Sequence, residues 1–234
     1  MANFHKMIMD MFLDFCSTAT AKEILNAVHS AEDIKNEFDA SHALIATSAK
    51  NKPDVISGLI SAGINVNVHS LHGSTPLMWA AQSNSAEAVD VLINAGADVN
   101  ASRPDGLTAL SVAAKSNSPS VISLLVKAGA DVNAHDSNGM TALHHAAMNN
   151  PDPKAVKILI DAGAEDTPTS TGKTALMLAA MLNNPQVVTA LINAGANVNA
   201  KDSDGKNALY YARSNQKISG TPEMSQLEKM TTLQ

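Results

Sequence analysis

Gly73, Gly106, Gly139, Gly172 and Gly205 follow one another at steps of 33 residues. A fixed step of this size means a chain built from stacked copies of one small supersecondary unit, each unable to bury its apolar face alone. Other residues keep the same beat. Thr75, Thr108, Thr141 and Thr174 come two places after the glycine, and Leu77, Leu110, Leu143, Leu176 and Leu209 come four places after it. The pairs Ala80-Ala81, Ala113-Ala114, Ala146-Ala147 and Ala179-Ala180 come next. A second series, Gly63, Gly96, Gly129, Gly163 and Gly195, steps by 33, 33, 34 and 32. The long and short steps cancel, so one unit has gained a residue near 149–153 and given it back in the next hairpin.

Thr75-Pro76 is a helix cap followed by proline at the first helical position, where a missing N–H costs nothing. Leu77, Trp79 and the small Ala80-Ala81 pair then predict a short helix that neighbours can approach closely. Ser118-Pro119, Asp152-Pro153 and Asn184-Pro185 predict a second helix start. Val121, Ile122, Leu124 and Leu125 give that helix an apolar stripe, and the second glycine ends it with a left-handed cap. Asp98-Val99-Asn100 and its copies lead on to Asp105-Gly106 or Asn138-Gly139, dipeptides suited to a hairpin turn. One unit is therefore helix, turn, helix, hairpin.

With Thr-Pro-Leu at 75–77 and Gly-Ala-Asp-Val-Asn at 96–100, the unit closely resembles the ankyrin repeat. Four successive units carry the pattern. The histidine usual in the family after Thr-Pro-Leu appears only as His144, and the family's Gly-His between the helices gives way to Asn-Ser or Asn-Asn-Pro, a variant similar to prokaryotic members. The resemblance implies an all-α repeat solenoid of stacked helix-turn-helix-hairpin units. About seven units would use almost all of the 234 residues. The expectation is one solenoid over 1–234, with 1–40 a degenerate N-terminal capping unit, 41–205 the central repeats and 206–234 the C-terminal capping unit. In the first unit Met7, Ile8, Met11, Phe12 and Phe15 predict an amphipathic helix, and Ile24, Leu25 and Val28 a second. At the other end 207–214 is read as one helix, and Thr221-Pro222 starts the last.

Composition agrees with thin layers. Hydrophobic residues make up 45% and aromatic ones only 3%, so the contacts are between small aliphatic side chains. The net charge is -6 and the only arginines are Arg103 and Arg213. No basic run tracks phosphates, so no nucleic acid is expected as partner. Lys6, Asp10 and Asp14 interrupt the N-terminal apolar residues, and no stretch approaches a membrane span. Cys16, alone, forms no internal disulfide. The expectation is a cytoplasmic monomer without membrane partners, although a non-classical route of secretion would leave no readable mark.

Catalytic chemistry finds little support. Thr171-Gly172-Lys173-Thr174 is like the end of a phosphate-binding loop, but Thr167 stands where that motif needs its first glycine, and the repeat register explains each letter. His144 and His145 are adjacent on a helix and point about 100° apart. His69 and His135 share a register position two units apart, about 20 Å at roughly 10 Å per layer, too far for one ion. His69 and His72 supply at most two ligands at a hairpin tip. Cys16 has no histidine pattern around it. The recurrent carboxylates, Asp98, Asp105, Asp131 and Asp204, read as turn chemistry. Neither metal nor cofactor nor enzymatic activity is expected.

Function is better sought where the units differ. One place after the period glycine stand Ser74, Leu107, Met140, Lys173 and Lys206; nine after stand Gln82, Lys115, Met148, Met181 and Ser214; ten after stand Ser83, Ser116, Asn149, Leu182 and Asn215. The resemblance places these positions on the concave face. An apolar centre of Leu107, Met140, Met148, Met181 and Leu182, edged by Lys115, Lys173 and Lys206, has the anatomy of a protein interface. The competing reading is lateral packing on the next unit. A protein-binding scaffold is therefore expected, using this face and the hairpin tips. The alternatives are an inhibitor or effector-type regulator of an enzyme, a ligand-binding or enzymatic protein, and a passive spacer. The resemblance also implies that Asn67, Asn100, Asn133 and Asn199, each eight residues after a leucine, have the spacing of hydroxylated repeat asparagines.

Overall fold

The threonines of the repeat cap helices as their spacing predicts. Thr75, Thr108 and Thr174 accept the backbone N–H of Met78, Ser111 and Met177, satisfying donors that the first helical turn leaves open. In this computed structural model, which describes residues 14–16, 18–30, 40–83, 85–116 and 118–232, the described residues are helical with no strand. The outermost traces of hairpin pairing are single, as between His135 and Thr141.

The chain divides into two compact units, Met1–Pro104 and Asp105–Gln234. The first holds α1 (Ala21–Ser30), α2 (Ala40–Ala49), α3 (Pro53–Ser61), α4 (Pro76–Gln82) and α5 (Ala86–Asn94). In it α2 packs on α4, and α1, α3 and α5 pack in succession. The second holds α6 (Ala109–Lys115), α7 (Pro119–Lys127), α8 (Ala142–Asn149), α9 (Pro153–Asp161), α10 (Ala175–Leu182), α11 (Pro185–Asn193), α12 (Ala208–Ser214) and α13 (Pro222–Thr232). There α6, α8, α10 and α12 form one row, and α7, α9, α11 and α13 another.

The period residues make the core. Leu77, Leu110, Leu143, Leu176 and the four Ala-Ala pairs are almost wholly buried, as are Val121, Ile122 and Leu125 of α7. Alanine pairs let first helices approach closely, and the leucines fill the space between layers. Leu124, expected in the buried stripe of α7, lies half-buried at its edge. Ser118, expected to cap α7, makes no cap bond, and its hydroxyl lies 3.4 Å from that of Ser120. Proline at the first helical position sets the backbone angle there without that help.

At the N-terminal end, Met7, Ile8, Met11 and Phe12 and the side chain of Val28 lie outside the described residues, while Ile24 is buried, Leu25 half-buried and Phe15 partly exposed. A capping box precedes α1. Thr20 N–H donates to the Glu23 carboxylate at 2.8 Å, and Glu23 N–H donates back to the Thr20 hydroxyl at 3.3 Å.

Asparagines bind neighbouring units together. Asn67 donates to the Gly96 carbonyl and accepts from Asp98 N–H; Asn133 does the same with Gly163 and Glu165. In the turns between helices, Asn183 donates to the carbonyls of Ala147 and Asn150, and Asn215 to those of Ala180 and Asn183. The asparagines that replace the family's Gly-His thus link one unit to the next.

The two glycine series have different physical reasons. Gly129 (φ +87°) ends α7 in a Schellman arrangement, with Ala130 N–H on the Leu125 carbonyl and Gly129 N–H on that of Val126, and a Cβ there would meet nothing. Gly106 (φ +84°) lies against the next hairpin, where a Cβ would come within 2.8 Å of Asp136 Cα and of the His135 carbonyl. Alanine at Gly129 costs only the left-handed backbone, about 1–2 kcal/mol. Gly106→Ala is expected to cost at least about 1 kcal/mol more, because the hairpin backbone must move. Equal losses in urea denaturation would contradict this account of the two positions.

Candidate protein-binding face

The row of first helices and the hairpins before them bring the candidate residues into two register lines in the second unit. Lys115, Met148, Met181 and Ser214 stand at corresponding positions of α6, α8, α10 and α12. Lys115 is exposed, Met148 and Met181 are half-buried, and Leu182 beside them is 49% exposed. Leu107, Met140 and Lys173 are half-buried at the base of their hairpins. The methionines are thus neither core residues nor free side chains. Each is partly seated and leaves one side to solvent.

Two polar clusters stand at the same register, in hairpins 66 residues apart. In one, Asp136 Oδ1 accepts the N–H of Asn138 and of Met140, and Oδ2 lies 3.2 Å from His145 Nε2. In the other, Asp202 Oδ1 accepts the N–H of Asp204 and of Lys206, while Oδ2 takes the Tyr211 hydroxyl and the Lys173 ammonium, the latter at 3.3 Å. Although burial alone would raise the Asp202 pKa, these donors together bring it to about 2. Both carboxylates are buried and their oxygens committed inward.

Lys173 and Lys206 differ in their partners. Lys173 reaches forward to Asp202 of the adjoining hairpin and lies 5.6 Å from the Tyr211 ring centre. Lys206 lies over the Tyr210 ring at 4.9 Å and 3.5 Å from Asp204. Tyr210 and Tyr211 occupy the register of His144 and His145. Tyr210 is 52% exposed, whereas His144 is fully buried. Sequence comparison of units did not single out this pair, although two tyrosines at the histidine register were a signal that could have done so.

The Cys16 thiol is buried, which pushes its pKa up to about 12 and leaves almost no thiolate at neutral pH. Among the described residues no group of three or more His, Cys, Asp or Glu could hold a metal ion. Within those residues no helix is long and apolar enough to cross a membrane. A shallow groove of about 530 Å³ runs between α9 and α11, with Lys154, Lys157, Ile160, Gln186 and Thr189 in its lining.

The family model for ankyrin repeats matches three times, over residues 13–103, 96–170 and 151–220. The chain belongs to the ankyrin repeat family. It is also similar to an ankyrin repeat protein of Fowlpox virus (strain NVSL), 31% identical over 81 residues, which are 34% of this chain and 14% of that protein. The chain thus spans about a seventh of that relative. Ankyrin repeats are in general protein–protein interaction modules and typically non-catalytic scaffolds, and the all-helical stack of paired helices described above is the ankyrin architecture.

Proposed function

We propose that this ankyrin repeat chain is a non-catalytic scaffold that binds one partner protein across the hairpin and first-helix face of residues 105–214. The observation that carries the reading is the half-seated Met148–Met181 line with exposed Leu182 beside it, set in helices whose buried positions are alanine and leucine together with His144, His145 and Met177. Side chains that served only the core would be buried, as Leu143 and Leu176 are. A preformed face of this kind needs little ordering on binding. Leu107, Met140, Lys115 and Lys173 complete it, with apolar contacts at the centre and cations at the edge.

The test is affinity capture from a lysate of the source cells with wild type and with the double variant Met148→Ser, Met181→Ser. The variant is expected to stay folded by circular dichroism, to lose no more than about 1 kcal/mol of stability, and to bind the partner at least about tenfold more weakly. Equal capture by both proteins would remove this face and turn attention to the hairpin tips or the α9–α11 groove. An unfolded double variant would return both methionines to the core.

A further inference from the structure

Asn138 is the only asparagine of the chain followed by glycine. Glycine lacks a Cβ, so the nitrogen of Gly139 is open to approach by the Asn138 side chain, and the backbone there turns with little steric hindrance. Asn138 is exposed in the hairpin before α8, and among the described residues no hydrogen bond engages its side-chain amide. Asn67 and Asn133 differ, each holding the next unit through both polar atoms of its side chain. The folded hairpin holds the backbone at Asn138 instead. Gly139 N–H donates to the Asp136 carbonyl at 2.9 Å, closing a turn, and Asp136 Oδ1 accepts the N–H of Asn138 at 2.8 Å and of Met140 at 3.0 Å.

We propose that Asn138 is a self-modification site, which deamidates through a cyclic imide formed with Gly139 at a pace set by Asp136. The Gly139 nitrogen attacks Asn138 Cγ. An N–Cγ bond forms, the Cγ–Nδ2 bond breaks, and ammonia leaves with the proton given up by Gly139 N–H. Water, the one further reactant, then opens the ring. Opening at Cγ gives aspartate, and opening at the main-chain carbonyl gives isoaspartate. The aspartyl product suits the fold, because two other units carry Asp105 and Asp204 at this register. The Asp105 carbonyl accepts Ser137 N–H of the next hairpin at 2.9 Å, just as the Asn138 carbonyl accepts Ser170 N–H at 2.9 Å. Isoaspartate lengthens the backbone by one atom and displaces that carbonyl. It does so where Gly139 is already so close to the next hairpin that a Cβ would come within 3.1 Å of the Ser170 nitrogen. Since the attacking nitrogen is committed to Asp136 in the closed hairpin, reaction proceeds from local opening, which the Asp136 bonds oppose.

The test is peptide mapping by mass spectrometry of the full chain during prolonged incubation at mildly alkaline pH. Wild type is compared with Asn138→Gln, with Asp136→Ala and with wild type unfolded in urea. The peptide holding residue 138 is expected to gain one mass unit before any other, as a mixture of aspartyl and isoaspartyl forms. Asn138→Gln, whose longer side chain would have to close a larger ring, should show no gain there on the same timescale. Asp136→Ala should gain it at least about fivefold faster than wild type, the effect of losing one hydrogen bond. Mass is the readout because Asp105-Gly106 and Asp204-Gly205 can form isoaspartate without gaining any. Should circular dichroism show Asp136→Ala unfolded, the rate ratio between urea-unfolded and folded wild type takes its place, with the same fivefold threshold. A first gain at another asparagine, or none at 138 in the folded chain while the unfolded chain converts, would overturn the site. Equal rates in folded wild type, the Asp136 variant and the unfolded chain would overturn the pacing by Asp136.

Discussion

Leu143→Ala is expected to lower the unfolding free energy by about 2–5 kcal/mol, the range for truncating a buried leucine. Leu143 is 1% exposed and sits in α8 between α6 and α10, in line with Leu110 and Leu176. Its site cannot close by moving the helices together. The pairs Ala113-Ala114, Ala146-Ala147 and Ala179-Ala180 are fully buried and already hold the three helices at close approach. A space of about 200 Å³ also borders Leu143, Leu191 and Asp166, so the truncation would enlarge an existing gap. Urea denaturation should show a lower midpoint with an unchanged slope. Since a repeat contacts only its neighbours, amide exchange should quicken most in α6, α8 and α10. A loss below about 1 kcal/mol would mean that Leu143 is not the central core residue its burial implies.

How far the sequence revealed the molecule differs from one residue to the next. Leu143 could be placed in the core because every unit repeats it, and repetition separates what the scaffold needs from what one unit adds. Helix starts were legible at Thr75, Thr108 and Thr174 for the same reason, each cap being a local bond between a hydroxyl and a backbone N–H three residues on. Ser118 was misleading because proline alone can start a helix, and residue type does not tell which of the two acts. The bonds from Asn183 and Asn215 to carbonyls about 33 residues back were not legible, although the asparagines were plain in the sequence. Such bonds depend on how one layer faces the next, which no local pattern encodes. The face was found by the reverse logic, from positions where the units disagree. That logic passed over Asp136 and Asp202, because recurrent acids in hairpins read as turn formers. Turn formers they are, but their second oxygens also hold His145, Tyr211 and Lys173 in place. It passed over Tyr210 as well, whose exposure depends on its place beyond the last fully formed hairpin.

His144 is expected to make the protein lose stability as pH falls from about 6.5 towards 4. The imidazole is fully buried; burial is the main cause that brings its pKa down to about 4, the neighbouring His145 adds to this, and the nearby backbone of Lys173 and Thr167 only partly opposes it. In the unfolded chain the same group titrates near 6.5. Between these values the unfolded state takes up a proton that the folded state refuses, so stability is complete above 6.5 and declines with acid, by roughly 3 kcal/mol at pH 4. The geometry gives the reason. Nδ1 accepts the N–H of Thr141 at 3.2 Å, and Nε2 has no hydrogen-bond partner, the Asp166 carboxylate being 3.8 Å away. A protonated ring carries N–H on both nitrogens and must give up the Thr141 bond. His145, also lowered chiefly by burial, acts in the same direction, while Asp166, raised by burial, opposes both at the acid end of the window. Met78 and Met177 stand at the same register and are buried, so His144→Met fits a volume that the repeat already accepts. That variant should be about 1 kcal/mol less stable at pH 7, where Thr141 loses its acceptor. Its stability should then fall less steeply than wild type on acidification, so that the two curves cross near about pH 6 and the variant is the more stable by about 2 kcal/mol at pH 4. Parallel curves in urea titrations from pH 7 to 4 would show that His144 is not the group whose proton uptake drives acid unfolding.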